Sequence, residues 1–277
     1  MAMIYRGMDR AALDAAYNNT KAIPDFPETM ERFRARSAEL YGAASCRRDV
    51  AYGPLARERF DWLSCGRKNA PVFIFFHGGY WQNCTKEEFA FVASGPLERG
   101  FDVVLVEYEL APTATMTRIV SQIRSLLDGL SDGTLGIDLA KRAVCLAGHS
   151  AGGQLAALHR DHPLVTHVMP VSALVELEPI SLSWLNEKLR LTPDEIDAYS
   201  PIRHIARGAP MTVTVGAAEL PELVRHSREY AHACQAAGEH VDYLAVPDCT
   251  HFSVLEDLAS ASGAQMCALA RSMATLR

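Results

Sequence analysis

No stretch of this chain approaches the roughly 18 consecutive apolar residues of a membrane span. The opening residues, Met1 to Thr20, also lack the apolar centre of a signal peptide. No membrane partner is therefore expected, and the expected compartment is the cytoplasm. A basic excess is missing too: 27 Lys and Arg stand against 33 Asp and Glu, a formal net charge of -6, with the two signs mixed along the chain. That balance supplies no basic stripe for a phosphate backbone, so no nucleic-acid partner is expected. The seven cysteines are odd in number and scattered, with no CxxC spacing. They suggest neither a disulfide framework nor a zinc site, and are expected to be reduced thiols, mostly in the core. Internal repeats and low-complexity segments are absent as well.

What is present is material for a sizeable core: 49% hydrophobic and 22% charged residues in 277. This length suits one domain over 1–277. From Met8 to Tyr41 the pattern is helical, broken by Ile23-Pro24-Asp25-Phe26-Pro27, which suggests an N-terminal helical arm within 1–45. Arg48 to Leu63, with β-type residues around Gly53-Pro54, suggests an antiparallel hairpin at a sheet edge. Then the rhythm becomes regular. Continuous apolar runs at Pro71 to Phe76, Phe101 to Glu107, Arg142 to Ala147, Val165 to Ser172, Met211 to Gly216 and Val241 to Pro247 read as strands buried on both faces. Helical patterns at 86–99, 113–129, 151–161, 221–237 and 253–275 alternate with them. The economical fold is α/β: a mostly parallel central sheet with helices on both faces. One connection, 174–209, is too long for a simple crossover and is expected to form a small helical cap or lid, with Trp184, Leu185 and Leu189 available to line a pocket.

Gly148-His149-Ser150-Ala151-Gly152 is a GxSxG pattern. Its chemical meaning comes from its place between the strand Arg142 to Ala147 and a helix starting at Ala151, where a serine on a sharp turn stands clear of the sheet. A serine hydroxyl is a poor nucleophile at neutral pH, so it needs a histidine base later in the chain and a carboxylate between them in sequence. His251, in Asp248-Cys249-Thr250-His251-Phe252, follows the last strand and is the best placed of the ten histidines. The orienting acid should follow the preceding strand: Glu219 comes first and Glu222 is its competitor, while Asp248 suits a turn after Pro247. Oxyanion stabilisation calls for backbone N–H groups, which His77-Gly78-Gly79-Tyr80-Trp81 can supply from the loop after Phe76. Gly78, Gly79 and Ala151 are the candidate oxyanion hole. Tyr80, Trp81, His149, Trp184 and Phe252 are the candidate pocket lining, although the aromatics suit a core equally well.

Together these motifs resemble the kynurenine formamidase (arylformamidase) branch of the α/β-hydrolases, close to the hormone-sensitive-lipase-like esterases. The Tyr80-Trp81 ending of the glycine loop carries most of that resemblance. It continues through Gly216-Ala217-Ala218-Glu219-Leu220-Pro221-Glu222 and Thr250-His251-Phe252, spanning roughly 70 to 255. The resemblance implies the α/β-hydrolase fold and hydrolysis of N-formyl-L-kynurenine to kynurenine and formate, with small aryl or short-acyl esters as further substrates. Familiar members carry aspartate where this chain has Glu219, which moves the carboxylate out by one methylene.

The expected chemistry is acyl transfer through Ser150, His251 and Glu219 on a small-molecule ester or amide, needing neither metal nor organic cofactor. A broad carboxylesterase with the same residues is the alternative, and a non-catalytic ligand-binding homologue the more distant one. A homodimer is compatible with the sequence.

Overall fold

The computed structural model describes residues 2–274; residue 1, in the expected arm, and residues 275–277, of which 275 ends the expected last helix, lie outside it. Among the described residues eight strands form one sheet: β1 (Ser45–Ala51), β2 (Arg59–Ser64), β3 (Val72–Phe76), β4 (Asp102–Val106), β5 (Val144–His149), β6 (His167–Val171), β7 (Met211–Gly216) and β8 (Val241–Val246). Their order is β1-β2-β4-β3-β5-β6-β7-β8. β1 pairs antiparallel with β2, and β2 with β4, so the expected hairpin forms one edge; all later pairings are parallel. This is the α/β architecture expected from the alternating pattern.

The central strands β3, β4, β5, β6 and β7 are buried at every residue, which is why they read as unbroken apolar runs rather than alternating ones. Two apolar cores flank them. One contains Ile74, Phe76, Leu146 and Val213 with the 116–131 helix, the other Phe73, Phe75, Ala147 and Met169 with Phe33, Phe89 and Phe91. The pairing Phe76 to Gly148, His149 to Val171 and Gly216 to Val246 levels the carboxyl ends of the parallel strands. Loops leaving those ends therefore converge on one edge, where open α/β sheets bind ligands.

The arm folds as Arg10–Ala16 and Phe26–Ala43. Asp9 caps the first helix by accepting from the Ala12 N–H at 2.9 Å. The second begins at Phe26-Pro27 rather than after them, because proline is tolerated in a first turn. Two helices differ from expectation. The 86–99 pattern is a 3-10 helix, Lys86–Ala93, leading into an α-helix, Ser94–Glu98. The 253–275 pattern is two helices, Ser253–Leu258 and Ala264–Ala274. The Asp257 carboxylate causes this break by accepting from the N–H groups of Ala264 and Gln265, and a Cβ at Gly263 would fall 1.9 Å from the Asp257 carbonyl oxygen. The long 174–209 connection holds short helices at Glu178–Ser181, Asn186–Leu189 and Pro193–Ala198. They bury Leu177, Ile180, Leu185, Leu189 and Leu191.

Candidate active site

Ser150 sits between the end of β5 and the helix Ala151–Leu158 with φ +56° and ψ -115°, a conformation that strains any residue with a Cβ. Its N–H donates to Val171 O at 2.8 Å, which ties the turn to the neighbouring strand. The flanking glycines have no substitute: a Cβ at Gly148 would lie 2.1 Å from Gly152 O, and one at Gly152 would lie 2.1 Å from Phe76 O. The sharpness of the turn thus follows from backbone packed directly on backbone.

His251 leaves the loop after β8, and Glu219 the loop after β7. Glu219 Oε2 accepts from His251 Nδ1 at 2.6 Å. Glu219 Oε1 accepts from the Gly216 N–H at 2.7 Å and from the Ser172 hydroxyl at 2.5 Å. The Glu219 side chain is 0% exposed, so these three donors replace its water shell and also fix its rotamer. The alternative acid, Glu222, points elsewhere: its Oε2 accepts from Arg225 and from the Tyr17 hydroxyl. Asp248 occupies a turn with φ +56°. No hydrogen bond joins the Ser150 hydroxyl to His251 in the structure; such contacts commonly tighten only when substrate is bound.

His149 joins the serine turn to the base. Its Nε2–H donates to the His251 carbonyl at 2.8 Å, and the two rings lie 4.4 Å apart. Burial, and then the charge of His251, hold the His149 pKa well below the usual histidine value, so its ring is neutral. A Cβ on Gly78 would lie 2.9 Å from His149 Nδ1 and 3.4 Å from Ser150 Cβ. The glycine loop therefore lies directly against the serine. Among the described residues, the N–H groups of Gly78, Gly79 and Ala151 donate to no protein acceptor. Gly79 has φ +109°, with room for no side chain beside Asn83 O.

The aromatic residues separate into different roles. Trp81 is 0% exposed and donates its indole N–H to Gln154 Oε1 at 3.2 Å. It is a core prop beneath the loop rather than pocket lining, because its whole surface is taken by protein. The Tyr80 hydroxyl donates to Tyr17 O at 2.5 Å and accepts from the Asn19 N–H, so the N-terminal arm grips the glycine loop. Trp184 approaches Tyr80 at 6.0 Å between ring centroids, and Phe252 packs edge-on to His251 at 5.4 Å. Sequence reasoning missed Ser172, Gln154, Tyr17 and Asn19. Of these only Ser172 had a sequence signal, as the polar residue ending an apolar strand beside the acid's strand.

Two open hollows of about 650 and 770 Å³ lie at the opposite, amino edge of the sheet, around His167, Thr212 and His240 and around Arg67, Lys141 and Arg142. In the first, the Thr212 hydroxyl lies 3.0 Å from His167 Nε2, but among the described residues His167 Nδ1 has no carboxylate or other partner to orient the ring, so the chemistry is assigned to the carboxyl edge. Among the described residues no three His, Cys, Asp or Glu side chains converge as a metal site, and no helix is long and apolar enough to cross a membrane.

A family model described as BD-FAE matches residues 64–162, the stretch from β2 through the serine turn. The crystal structure of a Silicibacter sp. tm1040 protein described as a candidate thioesterase superposes with a TM-score of 0.84 at 29% identity, covering 92% of this chain and 97% of that one. Esterase B from Lactobacillus rhamnosis shares the fold, with a TM-score of 0.73 at 17% identity over 96% of this chain and 95% of its own. Kynurenine formamidase from Salmo salar is 30% identical over 234 residues, 78% of each chain. That from Danio rerio is 32% identical over 226 residues, 76% of each chain, and on this likeness the chain belongs to the kynurenine formamidase family of the α/β-hydrolases.

Proposed function

We propose that this chain hydrolyses N-formyl-L-kynurenine, or a closely similar aryl formamide, to the arylamine and formate, with Ser150, His251 and Glu219 as its catalytic triad. The observation that carries the reading is the 2.6 Å Glu219–His251 bond beside the strained Ser150 turn. Glu219, acting as acceptor, keeps the Nδ1 proton on His251 and leaves Nε2 free to take the proton of Ser150. Ser150 Oγ then attacks the formyl carbon. The unpaired N–H groups of Gly78, Gly79 and Ala151 receive the oxyanion, where each such donor contributes roughly 3 to 4 kcal/mol. His251 next protonates the departing arylamine, and water repeats the sequence on the formyl-enzyme to release formate.

The 174–209 segment acts as a cap, with Trp184 resting edge-on against Tyr80 of the glycine loop. The seven thiols, all free, suit a cytoplasmic setting. A second reading, hydrolysis of short-acyl or aryl esters through the same residues, draws support from the likeness to the candidate thioesterase.

Steady-state hydrolysis of N-formyl-L-kynurenine beside a short-chain p-nitrophenyl ester, with wild type and Ser150→Ala, tests both. Formamide turnover at a kcat/KM of about 10⁴ M⁻¹s⁻¹ or more, lost in Ser150→Ala, supports the first reading. Turnover of the ester alone leaves the second, and activity retained by Ser150→Ala overturns the mechanism.

A further inference from the structure

We propose that a second buried carboxylate–histidine pair, Glu107–His77, acts as a positioning relay that aims and polarises the oxyanion donor of Gly79. The proposal rests on the Ser150 reading above.

His77 follows β3 and is wholly enclosed, and Glu107 follows β4 beside it. His77 Nδ1 lies 2.7 Å from Gly78 O, and His77 Nε2 lies 3.1 Å from Glu107 Oε1. A peptide carbonyl can only accept, and so can an ionised carboxylate. Glu107 already accepts from the Arg57 guanidinium and from the N–H groups of Lys86 and Tyr108, the pattern of an ionised carboxylate. Both ring nitrogens of His77 face acceptors, so both are assigned as donors. Its surroundings suit a cation: the Tyr108 ring stacks on it at 4.5 Å and 10°. Arg57 completes the chain by donating to Glu107 Oε1 at 2.5 Å and to Cys84 O at 2.6 Å, which braces the far end of the same loop.

The consequence falls on one peptide group. Among the described residues the only cis bond is Ala111–Pro112, so the Gly78–Gly79 peptide is trans and its C=O and N–H point in opposite directions. With the Gly78 carbonyl tied back to His77, the Gly79 N–H is turned away from His77, and it has no protein acceptor among the described residues. A charged donor on the carbonyl also draws electron density through the amide, which makes that N–H a stronger donor. Preorganisation of this kind acts on the transition state more than on the bound substrate.

The test compares wild type with His77→Gln, Glu107→Gln and Ser150→Ala, using the short-chain p-nitrophenyl ester and an alkylboronic acid that forms a tetrahedral adduct on a nucleophilic serine. Expected are a fall in kcat of about 10²-fold for His77→Gln and a smaller fall for Glu107→Gln. KM should stay within about twofold, and boronate affinity should drop in proportion to kcat. Nitrogen-15 spectra of the wild type should show both His77 ring nitrogens protonated at neutral pH. Folded variants with wild-type kcat and boronate affinity would overturn the relay, as would a neutral His77 ring. Should His77→Gln fail to fold, the isosteric Glu107→Gln carries the same comparison. Ester turnover surviving in Ser150→Ala would instead remove the serine reading; its loss there with normal kcat in both relay variants removes the relay alone.

Discussion

Ser172 donates its hydroxyl to Glu219 Oε1, leaving Oε2 to face His251. The longer side chain of glutamate is thus accommodated by a second anchor, which spans β6 and β7 and prevents the extra methylene from becoming extra freedom. Ser172→Ala removes one charge-assisted bond, roughly 1.5–3 kcal/mol, from a carboxylate with no access to water. A decrease in kcat of roughly tenfold is expected, with KM little changed. Glu219→Gln should cost on the order of 10³-fold or more, because the amide no longer secures the Nδ1–H tautomer. Initial rates on the better substrate measure both, and wild-type kcat in Ser172→Ala would mean that Glu219 needs no second anchor.

Glu222 provides the contrast. Its carboxylate serves Arg225 and Tyr17, in a cluster that also holds Glu176, Glu229 and Tyr5. Glu222→Gln should leave kcat within about threefold while lowering stability by roughly 1–3 kcal/mol, read as a shift in the urea midpoint. A collapse of kcat without loss of stability would move the acid role from Glu219 to Glu222.

Gly79→Ala forces a side chain into φ +109° and brings its Cβ within 2.3 Å of Asn83 O. The loop must move to relieve this contact. Loss of one oxyanion donor corresponds to about 10²–10³-fold in kcat, so a loss of that order is expected with the circular dichroism spectrum retained. Gly238→Ala, in open space though also at positive φ, should leave activity unchanged.

Buried histidines set the acid side of the stability curve. Burial first, and then the charges of Arg225 and Arg6, push His226 down to about 3; burial takes His167 down to about 4; His149 is depressed by burial and His251. In the unfolded chain each returns to about 6.5. Between those values the unfolded state binds more protons than the folded state, so stability is fully present above about pH 6.5 and declines as pH falls toward 4. Urea unfolding at pH 7.5, 6 and 5 should show the decline. His226→Gln should flatten part of it, and a slope equal to that of wild type would mean that His226 is charged in the folded chain.

The parallel strands were legible because each buried both faces, and the serine turn because its glycines pack backbone on backbone, which leaves a local signature. Glu219 could be named ahead of Glu222 by its distance from the strand end. Its partner Ser172 left only the signal of a polar residue closing an apolar run, since the contact itself exists because β6 and β7 are neighbours in the sheet. Gly263 lay inside a pattern read as one helix; it breaks that helix through Asp257, whose two caps a periodicity reading does not register. Trp81 carried the family resemblance, yet its environment was decided by Gln154, 73 residues away. Local sequence encodes which residues can react, whereas the residues that support them are chosen by tertiary neighbours.

The grip of the N-terminal arm on the glycine loop also orders events during synthesis. Tyr5 finds its acceptor in Glu176 at 2.8 Å, and Tyr17 lies 2.9 Å from His226 Nε2, partners 171 and 209 residues further along the chain. Those partners emerge from the ribosome long after the arm does. The arm that presses on Tyr80 must therefore wait, undocked, until most of the sheet has been made, and domain-sized chains in that condition depend on chaperones or rapid completion to avoid straying. Turnover by the nascent enzyme would then appear late and abruptly, reporting the closing of the chain upon its own beginning.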